Sequence, residues 1–228
     1  MAKRTRVAAA ERAAWRAQRP WPVAVLGIDP GTEVSGAGLV LPDSAGEDPD
    51  LRWIRSVDPY TLQLEQVVED AVQAARTRSL GLVFVLEEWG TGGPMGIDSW
   101  LGLGAARGHW LRAARLAATR HPDVLTRSRL WCYAHIQTWR SWMDVPAIVV
   151  DENGKTVRRN EPEDWKKHAT RRLAELCPRL RIDTADAAEA GLIALYGSRC
   201  DDVGKRLPTR LLAAHGLERP GARPEPAA

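Results

Sequence analysis

The first strong pattern along the chain is a continuous apolar run over residues 23–28, which ends on Asp29. A short run of this kind, rich in β-branched residues, is typical of a strand that is buried on both faces. Turn residues follow it, among them Gly31, which is free to adopt a positive φ. A second apolar run with small residues covers 35–41. The pattern therefore predicts a hairpin that places a carboxylate in a buried strand.

The remaining chain changes between strand-like and helix-like periods, with one glycine-rich segment at 87–99 that we expect to lack regular structure. Apolar positions predict strands at 51–57, 80–86 and 129–136, helices at 61–78, 100–119, 161–176 and 184–196, and a hairpin at 147–159 around an Asn-Gly pair. Three strands, a helix, a strand, a helix, a strand and then helices predict an α/β fold. In such a fold a mixed sheet is covered by helices.

Length and composition suit one globular domain with tails, because the chain has 228 residues, of which 44% are hydrophobic and 27% charged. We expect a basic, flexible extension at 1–20, a folded domain at 21–200 and a flexible tail rich in Pro, Arg and Ala at 201–228. Basic ends on an acidic middle fit a nucleic-acid binder whose acids hold cations, and they fit ordinary solvated tails equally well. Neither a signal peptide nor a membrane span is visible, so a cytoplasmic protein is expected.

Three further acids are candidate partners for Asp29. Glu87 follows a buried-type strand, at the end where open α/β sheets place their chemistry, although it and Glu88 also fit a polar strand end. Asp183 and Asp186 are three residues apart at a helix start, a spacing that predicts one shared face. Asp183 could instead cap the helix. The face of Asp186 continues with apolar residues, which is typical of packing against a sheet.

Carboxylates without a His or Cys cluster favour Mg²⁺ or Mn²⁺ over zinc. Two such ions roughly 4 Å apart can activate a water molecule and stabilise a leaving oxygen in phosphodiester hydrolysis. On local grounds, a turn aspartate that caps backbone amides explains Asp29 equally well. No Ser-His-Asp or Cys-His arrangement competes convincingly, and the glycine-rich segment lacks the Lys-Ser/Thr of a Walker A loop.

The chain resembles the RuvC family of Holliday-junction resolvases, within the RNase H-like superfamily. The resemblance rests on four stretches in matching order and spacing: GIDPGTEVSGAGLV (27–40), VLEEWG (85–90), SWLGLGAARGHWLRAA (99–114) and DTADAAEA (183–190). It implies an RNase H-like, RuvC-type α/β fold with a mixed five-stranded sheet flanked by helices. It also implies a homodimer, two divalent ions and nicking of two like strands across a four-way DNA junction.

The resemblance also implies site residues. Metal ligands would be Asp29, Glu87, Asp183 and Asp186. The family places basic residues near the scissile phosphate, and the candidates here are Lys166 and Lys167, on the helix before Asp183. A solvated helix face explains these two lysines equally well.

DNA contacts are implied more loosely, at Trp89, Arg107 and Arg140. Trp89 lies within a residue of the aromatic that the family inserts into the junction, where it could stack on a base, but a core tryptophan is the more ordinary reading. Arg107 lies in the stretch LGAARG and could be structural or could touch DNA. Arg140 lies near a position where the family has a lysine, which is a departure.

The predicted hairpin at 147–159 looks like an insertion relative to the family. Its second strand carries Lys155, Arg158 and Arg159. They could form a flap that contacts DNA, or they could keep an edge hairpin soluble. The insertion and the basic ends suggest a divergent member, bacterial or from a phage.

Three other functions remain open beside junction resolution. The same nuclease fold could act on flap, branched replication or packaging DNA. A catalytically inactive DNA-binding relative is a second alternative, although retention of four acids argues against it. An ATP-binding actin-like or sugar-kinase domain is the third, because the first hairpin of that fold also reads G-I-D-x-G-T. Against this alternative, that fold needs a second, Asp-Gly-Gly hairpin and usually a longer chain.

Overall fold

A computed structural model describes the folded part of the chain. The described residues are 23–42, 49–88, 96–125, 131–136, 139–140, 143, 145, 148–150, 156–158 and 162–199. The expected extension at 1–20 and tail at 201–228 lie outside them. The elements are β1 (Val23–Asp29), β2 (Ser35–Pro42), β3 (Pro49–Val57), α1 (Gln63–Thr77), β4 (Gly81–Glu88), α2 (Ile97–Arg120), β5 (Trp131–His135), β6 (Ile148–Val150), β7 (Thr156–Arg158), α3 (Pro162–Leu176) and α4 (Ala185–Arg199).

Five strands form one mixed sheet in the order β3-β2-β1-β4-β5. β1 pairs antiparallel with β2 and parallel with β4, so an antiparallel meander continues into a parallel half. The predicted α/β fold with a mixed sheet is therefore confirmed. β6 and β7 pair antiparallel in a separate two-stranded sheet, which is the predicted hairpin.

The expectation that 87–99 lacks regular structure was wrong at both ends. β4 continues through Glu88, because Glu87 and Glu88 pair with two residues of β5. At the other end, α2 begins at Ile97. The glycines in the middle of the segment concealed these two extensions, since pairing with a neighbouring strand can hold a polar strand end that local composition does not favour.

In the turn after β1, Gly31 does not use the left-handed backbone region that is open to glycine. A Cβ at this position would overlap the carbonyl oxygen of Val34. Glycine is therefore required here by a close approach of the backbone.

Side chains alternate between two apolar layers. One layer lies between the sheet and helices α1 and α2, and the other lies between the sheet and helices α3 and α4. In β1, Leu26 and Ile28 belong to the first layer and Val25 to the second. Since strand side chains alternate with a period of two, Asp29 faces α4.

At three glycine positions of β1 and β2, the backbone of helix α4 lies directly on the strand backbone, with no side chain between them. A Cβ on Gly27 would overlap the backbone of Ala190 and Ala194, and a Cβ on Gly36 would overlap the carbonyl oxygen of Asp186. Gly38 approaches the backbone of Gly191 in the same way. We call Gly27, Gly36 and Gly38 the glycine contact. It holds residues 186–194 of α4 against β1 and β2.

Among the described helices, none combines the length and the hydropathy that crossing a bilayer requires.

Candidate metal centre

Asp29 and Glu87 are neighbours at the ends of two parallel strands. Ile28 pairs with Leu86 in the β1–β4 ladder, so the residues that follow them lie side by side. Both carboxyl groups are buried, with 8% of Asp29 and 4% of Glu87 exposed. They are close enough to share a hydrogen bond. The first pair of predicted acids is thus brought together.

Burial changes the ionisation of both acids. It raises the pKa of Glu87 to about 7, while the nearby Arg140 guanidinium favours the charged form. Burial also raises the pKa of Asp29 well above its usual value, and the neighbouring carboxylates add to the shift by repulsion. The pair therefore retains a proton close to neutral pH, and a cation that binds there would release it.

Helix α4 brings two further carboxylates to the pair. One carboxylate oxygen each from Asp29, Asp186 and Glu189 lie within 4.8 Å of one another. This separation is near the roughly 4 Å that opposite ligands of a single Mg²⁺ span. The arrangement follows from the glycine contact, because that contact holds the turn of α4 carrying both acids against the sheet.

Glu189 was not among the sequence candidates. It lies one helical turn after Asp186, so the two acids share a face. The sequence does carry a signal, because Glu189 is the one acidic residue after Asp186 in a helix whose residues are otherwise small, apolar or aromatic as far as Gly197. A lone acid on such a buried helix needs a cation or a donor.

Asp183 lies apart from this group. Its side chain is 66% exposed and accepts a hydrogen bond of 2.8 Å from the Nε of Arg181. The expectation that Asp183 and Asp186 share a helix face was wrong, because α4 begins at Ala185. Asp183 does not cap the helix either, since the hydroxyl of Thr184 accepts the bond from the Ala187 amide. A ligand role for Asp183 stays a prediction.

Of the two candidate lysines, Lys166 reaches the centre. Its Nζ donates a hydrogen bond of 2.6 Å to Asp186, from α3 to α4. Partial burial alone would lower the pKa of Lys166, but the bond to Asp186 outweighs it and raises the pKa above its usual value. Lys167, the next residue of α3, is exposed. The sequence left the choice between them open, and the geometry favours Lys166.

Arg140 lies in the interior beside the acids. Its Nη2 donates a hydrogen bond of 2.7 Å to Glu189, and only 9% of the Arg140 side chain and 5% of the Glu189 side chain are exposed. The guanidinium carbon lies 4.5 Å from the ring centroid of Trp165 and 5.3 Å from that of Trp139. The expected contact of Arg140 with DNA would therefore require its side chain to move.

Other candidate DNA contacts lie away from the acids or outside the described residues. The guanidinium of Arg107 stacks 4.3 Å above the ring of Tyr133, which belongs to the apolar layer on the opposite face of the sheet from α4. Arg158 is the last residue of β7. Trp89, Lys155 and Arg159 lie outside the described residues.

The donor set fits a hard divalent cation. Among the described residues, the group within ligand distance consists of carboxylates alone, and oxygen ligands of this kind suit Mg²⁺ or Mn²⁺. Two cationic side chains, Arg140 and Lys166, pair with a group of four carboxylates, from Asp29, Glu87, Asp186 and Glu189. An added divalent ion would balance the remaining negative charge.

No family model matches the chain, and no curated protein matches its sequence. Among solved structures, it is similar to Thermus thermophilus RuvC in complex with Holliday junction substrate. The TM-score is 0.50 at 14% identity, over 80% of this chain and 99% of that one. A second T. thermophilus RuvC structure (TM-score 0.47, 17% identity, 80% and 99% coverage) and the yeast mitochondrial Holliday junction resolvase (TM-score 0.47, 10% identity, 90% and 87% coverage) are also similar. The first likeness confirms the predicted fold: the chain has the RuvC-type, RNase H-like architecture.

Proposed function

We propose that this protein is a divalent-metal-dependent endonuclease that nicks branched DNA, with the four-way junction as its first candidate substrate. The observation that carries the proposal is the convergence of four carboxylates at one edge of a RuvC-type sheet. They come from Asp29, Glu87, Asp186 and Glu189. The solved T. thermophilus RuvC structure, which contains Holliday junction substrate, supports the choice of DNA.

Asp29, Glu87 and Asp186 would hold the ions, which we expect to be two Mg²⁺ or Mn²⁺. Bound there, such ions would supply a water molecule of lowered pKa and a positive charge for the phosphate oxygens. The chain's own part is to keep its carboxylates in place. Trp139 orients Glu87 through a hydrogen bond of 2.8 Å, and Lys166 orients Asp186.

Lys166 also marks the side from which DNA would approach. Its side chain is 47% exposed, whereas the carboxylates of Asp29 and Glu87 behind it are buried. A positive group at the open side of an acidic centre offsets the repulsion between those acids and a phosphate. Lys166 is therefore the residue of this centre that we propose to contact the scissile phosphate.

Two nicks across a junction require two centres, and one chain supplies one, so we propose that the protein acts as a homodimer. The exposed face of α2 supports this proposal. Ile97 and Leu101 are exposed large apolar side chains there, and within the described part of the chain nothing lies within 4 Å of a Cβ placed on Gly104 or Gly108. A Leu101→Arg substitution should then shift the protein from dimer to monomer in sedimentation, and an unchanged mass would argue against this face.

The remaining DNA contacts are proposals that extend from the centre. Arg158 would act from the β6–β7 hairpin together with Lys155 and Arg159, and Trp89 would stack on a base near the end of β4. Arg107, being stacked on Tyr133, is the weakest of these candidates.

A cleavage assay tests the function. The full chain would be incubated with a labelled four-way junction, a flap and a linear duplex, each with Mg²⁺, with Mn²⁺ and with EDTA. Paired symmetric nicks on the junction alone, absent in EDTA, are expected. Cutting of the flap or the duplex instead would contradict the proposed substrate but support the proposed metal centre. DNA binding without any cutting would indicate an inactive relative.

Asp29→Asn is the informative variant in this assay. It should abolish cleavage while junction binding is kept or tightened, because a ligand is lost and repulsion of the phosphates falls. Asp123→Asn is the matched control and should cut normally. Asp123 follows α2 and forms an exposed ion pair with Arg76. Near-normal cutting by Asp29→Asn would contradict the metal assignment.

A further inference from the structure

Glu189 occupies a position in the centre that the sequence resemblance assigned to another acid. Its carboxylate is buried, and one of its oxygens lies within 4.8 Å of oxygens of Asp29 and Asp186. Asp183, the acid expected there, precedes α4, points to solvent and pairs with Arg181. Glu189 is therefore buried and close to Asp29 and Asp186, whereas Asp183 is exposed and lies apart from them.

Arg140 gives an independent observation that points to the same place. Its side chain is more than nine-tenths buried, and its Nη2 donates to Glu189. Its Nε and Nη1 are also buried and have no hydrogen-bond partner among the described residues. A buried guanidinium with two unsatisfied nitrogens is costly, so its charge must be balanced at the carboxylates.

Two aromatic rings hold the positive charge of Arg140 beside Glu189. The ring of Trp165 and the ring of Trp139 both lie against the guanidinium. Aromatic faces stabilise a cation and also restrict its movement. Arg140 is therefore a fixed positive charge beside the carboxylates, present whether or not an ion is bound.

We infer that Glu189 is the fourth carboxylate ligand of the centre, in place of Asp183, and that Arg140 is the counter-cation that holds Glu189 when no ion is bound. The inference rests on the proposed function and names the ligand set and one positioning residue of that site. A divalent ion that binds Asp29 and Asp186 then shares Glu189 with Arg140. The buried carboxylates are stabilised by Arg140 alone without the ion and by both cations with it.

The ligand part is tested by Mn²⁺ binding to the full chain without DNA, measured by calorimetry. Glu189→Gln should weaken Mn²⁺ binding at least tenfold, which is the usual range for loss of a contact that supports a metal site. Asp183→Asn is the matched variant and should change the affinity less than twofold. A loss with Asp183→Asn and none with Glu189→Gln would overturn the exchange of ligands.

The counter-cation part is tested by thermal melting with and without Mn²⁺. Arg140→Met keeps much of the apolar stem but removes the charge, so the ion-free protein should melt at a lower temperature and the rise on adding Mn²⁺ should exceed that of the unaltered protein. Arg140→Lys, which restores the charge, should melt closer to the unaltered protein. A smaller Mn²⁺-induced rise in Arg140→Met would overturn the role.

A double variant separates this role from simple packing. If Arg140 acts through Glu189, then Arg140→Met combined with Glu189→Gln should melt higher than Arg140→Met alone, because no buried charge is left unpaired. Additive losses would mean that Arg140 only fills space. Failure of the unaltered chain to bind Mn²⁺ would instead overturn the proposed function, so the two failures are distinguishable.

Discussion

The indole nitrogen of Trp139 donates a hydrogen bond of 2.8 Å to the carboxylate of Glu87. Both side chains are buried, and Trp139 is followed directly by Arg140, which binds Glu189. Two consecutive residues after β5 thus hold two different acids of the centre. The third donor to these acids, Lys166, comes from a separate segment, helix α3.

We predict that Trp139→Phe reduces cleavage and shifts its pH dependence upward. The ring would be retained, but Glu87 would lose a donor that favours its charged form, so the pKa of Glu87 would rise above about 7. A hydrogen bond to a charged group is worth about 1.5–3 kcal/mol. A pH–rate profile measures the shift.

Trp110→Phe is the matched control for that variant. Trp110 is fully buried, and its indole nitrogen has no hydrogen-bond partner among the described residues. Its replacement should lower stability slightly and leave the pH profile in place. An unshifted profile for Trp139→Phe would show that the bond does not tune Glu87.

The stability of the metal-free protein should fall as the pH rises from about 5 to about 8. Burial raises the pKa of Glu87 from an ordinary value of 4.5 to about 7, so the folded state binds more protons than the unfolded state in this range. The free energy of unfolding then decreases with pH, by roughly 3 kcal/mol if Glu87 acted alone. The upward shift for Asp29 has the same sign.

Thermal melts in EDTA across this range measure the effect. Millimolar Mg²⁺ should flatten the decline, since a bound cation stabilises the ionised carboxylates that face it, and Glu87→Gln should flatten it without metal. A stability that rises with pH in EDTA would contradict the burial of these acids.

Gly36→Ala should impair both folding and cleavage. A Cβ at this position would overlap the Asp186 carbonyl oxygen, so α4 would have to move away from β2. Overpacking of this kind costs about 1–3 kcal/mol or more, and it displaces two of the four acids.

Gly96→Ala is a suitable comparison for Gly36→Ala. A Cβ on Gly96, which precedes α2, meets nothing within 4 Å among the described residues, and its extended backbone accommodates alanine. It should change the free energy of unfolding by about 1 kcal/mol or less. Equal effects of the two changes, in denaturant unfolding and in cleavage, would contradict the direct contact of α4 with the sheet.

Lys166→Met should reduce the cleavage rate about 10²–10³-fold, the range for loss of one donor that stabilises developing charge. Lys167→Met, one residue along the same helix, should have a much smaller effect, because Lys167 is exposed and it is Lys166 that donates to Asp186. Single-turnover cleavage of saturated complexes separates the rate from DNA binding. The reverse ranking would assign the phosphate contact to Lys167.

Most of the fold could be predicted because the spacing of hydrophobic residues along the chain indicates which positions are buried. Buried strands read as continuous apolar runs, and Asp29 and Glu87 were found because each ends such a run. Their proximity then follows from the parallel pairing of β1 with β4. Strand ends are thus a reliable guide to the first half of the centre.

The second half depends on contacts between distant segments. Glu189 and Arg140 are 49 residues apart, and nothing local indicates that they pair. Asp183 was predicted from its spacing to Asp186 and from the resemblance, but this spacing does not show that the helix begins only at Ala185. The sequence has ten tryptophans against one phenylalanine, and two of these tryptophans, Trp139 and Trp165, lie against the guanidinium of Arg140.

The glycine contact has a consequence for protein synthesis. β1 and β4 are made early, but the helix that carries Asp186 and Glu189 is the last described element to leave the ribosome. Until that helix settles on its three glycines, a growing chain holds only Asp29 and Glu87 in position. The candidate centre is therefore incomplete while the domain is still being translated, and the cleavage activity proposed above would arise only with the finished domain.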